Sequence, residues 1–194
     1  MPALDDASLD LIFRQARSHN RWADSPVTDD DIRAIYDLCK WGPTAVNSQP
    51  ARIVWVRSPQ AKARLEPLLD EGNRIKSATA PVVAIVGYDL DFPDTLHKIF
   101  HAKGAHAWFP HMDKREWIAF RNSTLQGAYL MIAARALGFD CGPMSGFDNA
   151  GVDRAFFAGT NIKSNFVVAI GRGTDEQLYP RNPRHPFDDA NTIL

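Results

Sequence analysis

The sequence predicts a single α+β domain, and three observations predict it. Helical periodicity recurs more often than strand patterning, the strand-like runs lie far apart, and no segment repeats. The chain of 194 residues is long enough for one domain to bury roughly 70% of its unfolded surface.

The first periodic stretch is Leu9, Ile12, Phe13 and Ala16, an amphipathic helix ending in the polar turn Arg17-Ser18-His19-Asn20. Thr28 is positioned to cap a second helix, with Asp31 three residues on in a capping-box position. The inward stripe of that helix is Ile32, Ile35, Leu38 and Cys39, and it stops at Trp41-Gly42-Pro43, since proline cannot continue the hydrogen-bond ladder. Residues 52–56 form a strand by their branched and aromatic content. Ser58-Pro59 opens a third helix reaching about Leu69, and residues 81–86 lack polar alternation, as in a strand buried on both faces. Residues 89–113 show no clean period and are expected to be a partly helical excursion over the body. The longest helix runs from about Lys114 to Leu137, stopped by Gly138, with a middle apolar nearly all round that implies a central, buried position. A Gly/Pro loop from Cys141 to Phe147, a short helix near Val152 to Phe157 and a strand over 166–170 follow. The polar, proline-rich tail 174–194 lacks a core of its own and is expected to lie on something else, such as another subunit.

Composition narrows the function. Acids and bases nearly balance, for a net charge of -1, and no run of like charge suggests a nucleic-acid or membrane patch. The acidic start does not resemble a signal peptide and no apolar run approaches the roughly 20 residues that span a bilayer, so a cytoplasmic location is expected. With only Cys39 and Cys141, a disulfide framework is not expected, and both read as buried small hydrophobes.

Four loops combine small residues with hydrogen-bonding groups: 17–20, 43–50, 142–146 and 181–184. A flavin needs such a set, with Arg for its phosphate, Ser and Asn for its ribityl hydroxyls, and backbone N–H groups for its ring edge. Each loop alone also suits an ordinary turn. The one G-x-G, at Gly171 and Gly173, lacks a third glycine and reads as a strand-end turn. His97 and His101 stand one helical turn apart, which suits a metal, but no carboxylate or thiolate completes a set. An active-site lid and a surface helix with incidental histidines remain open for this segment.

Taken together and in order, the motifs carry a resemblance. Ala-Arg-Ser-His-Asn-Arg-Trp, Gly-Pro-Thr-Ala-Val-Asn-Ser-Gln-Pro-Ala-Arg, Phe-Arg-Asn-Ser-Thr-Leu-Gln and Gly-Pro-Met-Ser-Gly-Phe-Asp resemble the nitroreductase family, most closely its malonic semialdehyde reductase branch. The likeness covers essentially the whole chain. It implies an FMN-dependent fold with a central mixed or antiparallel sheet flanked by helices, in an intertwined homodimer with FMN at the interface. Arg17 and Ser18 would hold the phosphate and ribityl chain, and Arg184, with Arg181, would complete the phosphate grip. Asn47 would reach the ring from its own subunit, and Pro43 and Thr44 from the partner. Pro143, Met144, Ser145 and Gly146 would lie along the ring edge. Asn20 stands where many members of the family carry a further Arg, which implies weaker retention of FMN. The activity implied is hydride transfer from NADPH or NADH to a small molecule, malonic semialdehyde above others. A broad nitro or quinone reductase and a non-catalytic flavin-binding dimer are the competing expectations. Arg115, Lys103 and Arg121 are candidate cations for a substrate carboxylate.

Overall fold

A computed structural model describes residues 3–194 and builds outward from a four-stranded sheet. The chain opens with a helical turn α1 (Asp6–Leu9), capped by Asp5 and continued by a π-helical turn over Asp10–Arg14. Helix α2 (Asp29–Cys39) has the expected capping box: Thr28 Oγ1 accepts from the Asp31 amide at 3.1 Å, and the Asp31 carboxylate accepts from the Thr28 amide at 2.8 Å. After a 3-10 turn at Ala45–Asn47 come strand β1 (Ala51–Val56), helix α3 (Pro59–Leu65) and helix α4 (Glu71–Thr79). Strand β2 (Val82–Asp89) leads into the excursion, which contains the short helix α5 (Leu96–Ile99) and a 3-10 turn at Ala105–Trp108. The long helix α6 (Met112–Ala136), strand β3 (Asp140–Met144), helix α7 (Asn149–Phe156), strand β4 (Ile162–Gly171) and the tail helix α8 (Phe187–Ala190) complete the chain.

Every strand pairing is antiparallel, in the order β1-β2-β4-β3. The run with no polar alternation, β2, is central and buried through seven of its eight positions. Its side chains alternate between two cores, as a pleated strand requires. Val82, Ala84 and Val86 meet α2 and α6, and Val83 and Ile85 meet residues of α3 and α7. A third cluster, including Leu90, Phe92, Leu96 and Phe109, fixes the excursion against Ile118 and Ala119 at the start of α6.

Several expectations are corrected. The segment 141–147, expected to be a loop, supplies edge strand β3, pairing from Asp140 with Gly171 to Met144 with Val167. Its glycine and proline lower strand propensity, and pairing with β4 overrides that preference, proline being tolerated at a sheet edge. The third helix ends at Leu65, and Glu66-Pro67-Leu68 forms a 3-10 turn, because Pro67 cannot continue the ladder. Helix α4 carried no periodic signal and was not anticipated. Leu38 and Phe13, expected to face inward, are 46% and 54% exposed. Helix α6 is not buried all round: Trp117, Phe120, Leu125 and Tyr129 stand in solvent on its outer side. His97 and His101 do not share a helix, since α5 ends at Ile99, and no cluster of potential metal ligands occurs among the described residues. Cys39 and Cys141 are both buried and free, and burial pushes their thiols up to about 11 and about 12.

Replacing Thr28 with Ala removes the cap from α2 and is expected to cost about 1 kcal/mol. Urea unfolding read by circular dichroism checks it, and an unchanged midpoint would show that the capping box contributes nothing.

Candidate functional site

Residues 18–23 are stitched to the sheet. Ser18 pairs in parallel with Cys141, the His19 amide donates to the Cys141 carbonyl at 3.0 Å, and the Ala23 amide donates to the Arg172 carbonyl at 2.8 Å. The buried His19 ring sits between the Thr174 carbonyl, 3.1 Å from Nδ1, and the Asp140 carboxylate, 3.4 Å from Nε2. Two glycines make this approach possible. A Cβ on Gly173 would fall 2.2 Å from the His19 ring, and one on Gly142 would fall 2.5 Å from the His19 carbonyl oxygen.

The turn fixed in this way presents Arg17 and Ser18 to the tail. Arg17 donates to the Tyr179 carbonyl, Asn20 to the Gln177 carbonyl at 2.9 Å, and Arg181 back to the Ala16 carbonyl at 2.9 Å. Between turn and tail lies a cavity of about 320 Å³, lined by Arg17, Ser18, Arg181 and Arg184 and by Arg135 from the last turn of α6. No carboxylate among the described residues lines it. The Arg135 Nε is buried without a hydrogen-bond partner, and Arg184 satisfies itself only on the carbonyls of Asn182 and Pro183. Four guanidinium groups without a counter-charge among the described residues make this cavity a candidate site for an anion such as a phosphate.

Strand β3 joins this cavity to a second set of groups. Pro143 is half-buried and Ser145 exposed, while the Met144 side chain is buried against the Ser77 hydroxyl at 3.6 Å and presents only its backbone. The Gly146 carbonyl accepts from the Asp70 amide at 3.1 Å and the Asn73 side chain at 2.9 Å, tying the loop to the start of α4. Lys76, on the same helix, lies against Gly142, its Cδ 2.8 Å from where a Cβ would stand. Burial lowers the pKa of Lys76, and its ammonium has no hydrogen bond or ion pair among the described residues. Sequence reasoning missed Arg135, Asn73 and Lys76. Arg135 did leave a signal, as a lone charge inside the run Met131-Ile132-Ala133-Ala134-Arg135-Ala136-Leu137.

The turn Pro43–Asn47 is elsewhere. The Ala45 amide donates to the Asn122 side chain at 2.8 Å, and the Ala51 amide to that of Gln126 at 2.9 Å, so the loop hangs from the first half of α6. Asn122 precedes Arg135 by thirteen residues on that helix, a rise of about 20 Å. Pro43, Thr44 and Asn47 therefore do not share the arginine cavity within one chain. Thr44 Oγ1 accepts from the Gln49 amide, and the Asn47 side chain donates to the Ile99 carbonyl at 2.7 Å. Val46, Asn47 and Gln49 hold φ of 50°, 50° and 41°, interrupted by Ser48, and the left-handed region is costly for branched Val46.

The model of the nitroreductase family matches residues 13–172. The chain belongs to the nitroreductase family. A relative from Caulobacter sp. (strain K31) that carries the name NADH dehydrogenase/NAD(P)H nitroreductase is 57% identical, with all of both chains covered. Among solved structures, a nitroreductase in complex with FMN from Exiguobacterium sibiricum 255-15 superposes with a TM-score of 0.85 at 21% identity, covering 100% of this chain and 99% of that one. A nitroreductase family protein from Streptococcus pneumoniae TIGR4 gives 0.83 at 22% identity, covering 96% and 99%. Both share the nitroreductase fold, here a four-stranded antiparallel sheet flanked by helices. No helix among the described residues of this nitroreductase family member is long and apolar enough to cross a membrane.

Gly142→Ala places a methyl group against the His19 carbonyl and is expected to destabilise the protein by about 1–3 kcal/mol. Denaturant unfolding checks this, and a neutral result would mean that turn and strand can separate freely.

Proposed function

We propose that this chain is an FMN-dependent NAD(P)H oxidoreductase, working as a homodimer, whose acceptor is malonic semialdehyde. The observation that carries the reading is the acid-free arginine cavity with its orphaned Arg135 Nε, joined along β3 to the partnerless Lys76 ammonium. That donor set fits FMN. Arg17, Arg135, Arg181 and Arg184 would hold the phosphate, and Ser18 a ribityl hydroxyl. Backbone groups of Pro143 to Gly146 would follow the ring edge, with the Asn73 amide and Lys76 beside them. When bound, FMN supplies reversible hydride transfer between a nicotinamide and an acceptor. The part of the protein is to orient both partners and to place positive charge where negative charge accumulates. Lys76 is suited to this because partial burial strengthens its field while leaving it without a competing partner. Overall, NAD(P)H, the aldehyde and one proton give NAD(P)⁺ and 3-hydroxypropionate.

Three features support the homodimer. The Pro43–Asn47 turn is held away from the arginine cavity, so a second copy is the natural way to bring both to one flavin. Apolar side chains stand exposed on α2, in the turn after it and on α6, among them Tyr36 at 50%, Trp41 at 77% and Trp117 at 57%, more than a soluble monomer ordinarily leaves uncovered. The tail from Glu176 onward is largely exposed, as an arm that embraces a partner would be. The acceptor assignment rests on the motifs Phe120–Gln126 and Gly142–Asp148. Of the cations considered for its carboxylate, Arg115 Nε is occupied by the Phe109 carbonyl at 2.7 Å and Arg121 lies over the Trp117 ring at 3.8 Å. Lys103 is free of both kinds of contact among the described residues.

The first experiment is reconstitution with FMN, followed by anaerobic absorption spectra on adding NADPH and then malonic semialdehyde. A bound flavin band that bleaches with NADPH and returns with the aldehyde is expected. Bleaching without return, alongside turnover of a quinone or nitroaromatic, would replace the aldehyde with a broad acceptor range. Absence of any retained flavin would overturn the cofactor assignment. Arg17→Ala is expected to weaken FMN binding by about 2 kcal/mol, read by flavin fluorescence quenching. Unchanged affinity would put the phosphate outside this cavity.

A further inference from the structure

The excursion holds a cleft of which the preceding reading uses only Lys103. Between α5 and the 3-10 turn Ala105–Trp108 lies a cavity of about 420 Å³ whose polar lining is basic: His97, His101, Lys103 and His106, with no carboxylate among the described residues on its wall. These groups are uncommitted. His101, Lys103 and His106 make no side-chain hydrogen bond or ion pair among the described residues, and His97 uses only Nδ1, against the Asp94 carbonyl at 2.9 Å. Phe100 adds one aromatic ring to the wall, with Trp108 outside the lining behind it. The Phe100 ring lies 4.4 Å from that of His101 and 6.0 Å, edge-on, from that of Trp108. The cleft is also firmly mounted, because Ala105 on its lining is buried in the third hydrophobic cluster. Two residues from His97 and from His101, the Ile99 carbonyl receives the Asn47 amide, so the cleft adjoins the Pro43–Asn47 turn.

Donors without acids call for an anion, and an aromatic ring on the wall calls for a flat ring attached to it. We propose that this cleft binds the adenosine 2′-phosphate end of NADPH, making the protein selective for the phosphorylated nicotinamide cofactor. The proposal rests on the oxidoreductase reading. In the homodimer, the cleft of one subunit serves the flavin whose phosphate the other subunit's arginine cavity holds. Imidazoles and an ammonium converging on a phosphate monoester give charge-assisted hydrogen bonds that NADH, with a 2′-hydroxyl there, cannot match. A carboxylate-bearing acceptor shares this anion chemistry, and the test separates the two.

Isothermal titration of the intact protein with adenosine 2′,5′-bisphosphate, adenosine 5′-monophosphate and malonate reads the cleft without catalysis. The bisphosphate is expected to bind at least about tenfold tighter than the monophosphate, the worth of one charge-assisted contact. The double variant Lys103→Ala, His106→Ala should erase most of that difference and lower the ratio of NADPH to NADH kcat/KM about tenfold. Equal affinity for the two nucleotides, or a ratio unmoved by the variant, overturns the proposal. Malonate binding lost in the variant, with no preference between the nucleotides, overturns it in favour of the acceptor. Selective bisphosphate binding without oxidation of either nicotinamide would uphold the cleft while sinking the oxidoreductase reading. Equal use of NADPH and NADH without selective binding would do the reverse.

Discussion

The packing of α6 across the sheet is the constraint on which the rest depends. At Gly127 the helix lies so near the sheet that a Cβ would stand 2.2 Å from the Phe166 ring of β4. With that approach fixed, polar groups spaced along the same helix organise distant loops. Asn122 and Gln126, both buried, receive the amides of Ala45 and Ala51 and so set the strained turn before β1. Arg135, three turns later, brings its guanidinium to the opposite end of the molecule beside Arg17. One helix therefore separates the two loops by a fixed rise, and neither can wander toward the other.

Electrostatics gives that separation a purpose. Four guanidinium groups around one cavity repel each other, and burying Arg135 Nε unpaired carries a desolvation cost. An anion that binds only the folded protein relieves both and adds stability by mass action. Lys76 extends the pattern along β3, since burial lowers its pKa and it makes no ion pair among the described residues. Both features are costly for the protein chain alone. They make physical sense as preorganisation for a ligand negative at its phosphate and able to become negative at its ring.

How far the site was legible depended on how local its causes are. The capping box at Thr28, the stop at Gly42-Pro43 and the buried run of β2 are decided by nearest neighbours, and the pattern predicts them closely. Strand β3 was missed because its Cys-Gly-Pro-Met sequence has no strand preference, and only pairing with β4 extends it. Leu38, Phe13 and Tyr129 were expected inside because periodicity marks an apolar face without saying what covers it. The motif residues Arg17, Ser18, Arg181 and Arg184 stood out as hydrogen-bonding groups among small residues, and the fold gathers them at one cavity. Arg135, Asn73 and Lys76 sit in helices with no turn chemistry to mark them.

The sequence by itself determined the α+β class, the cap and stop of α2, the start of α3, the stop of α6 and the loops able to carry polar chemistry. These follow from capping, proline and hydrophobic periodicity, which act over a few residues. Only the tertiary structure decided that the 17–20 turn locks onto β3 through Gly142 and Gly173, and that Arg135 joins it across 118 positions of sequence. It also decided that the Pro43–Asn47 turn lies a helix length away. The physical reason is that close approach and charge convergence are properties of distance in space, and chain connectivity leaves that distance open until the core has packed.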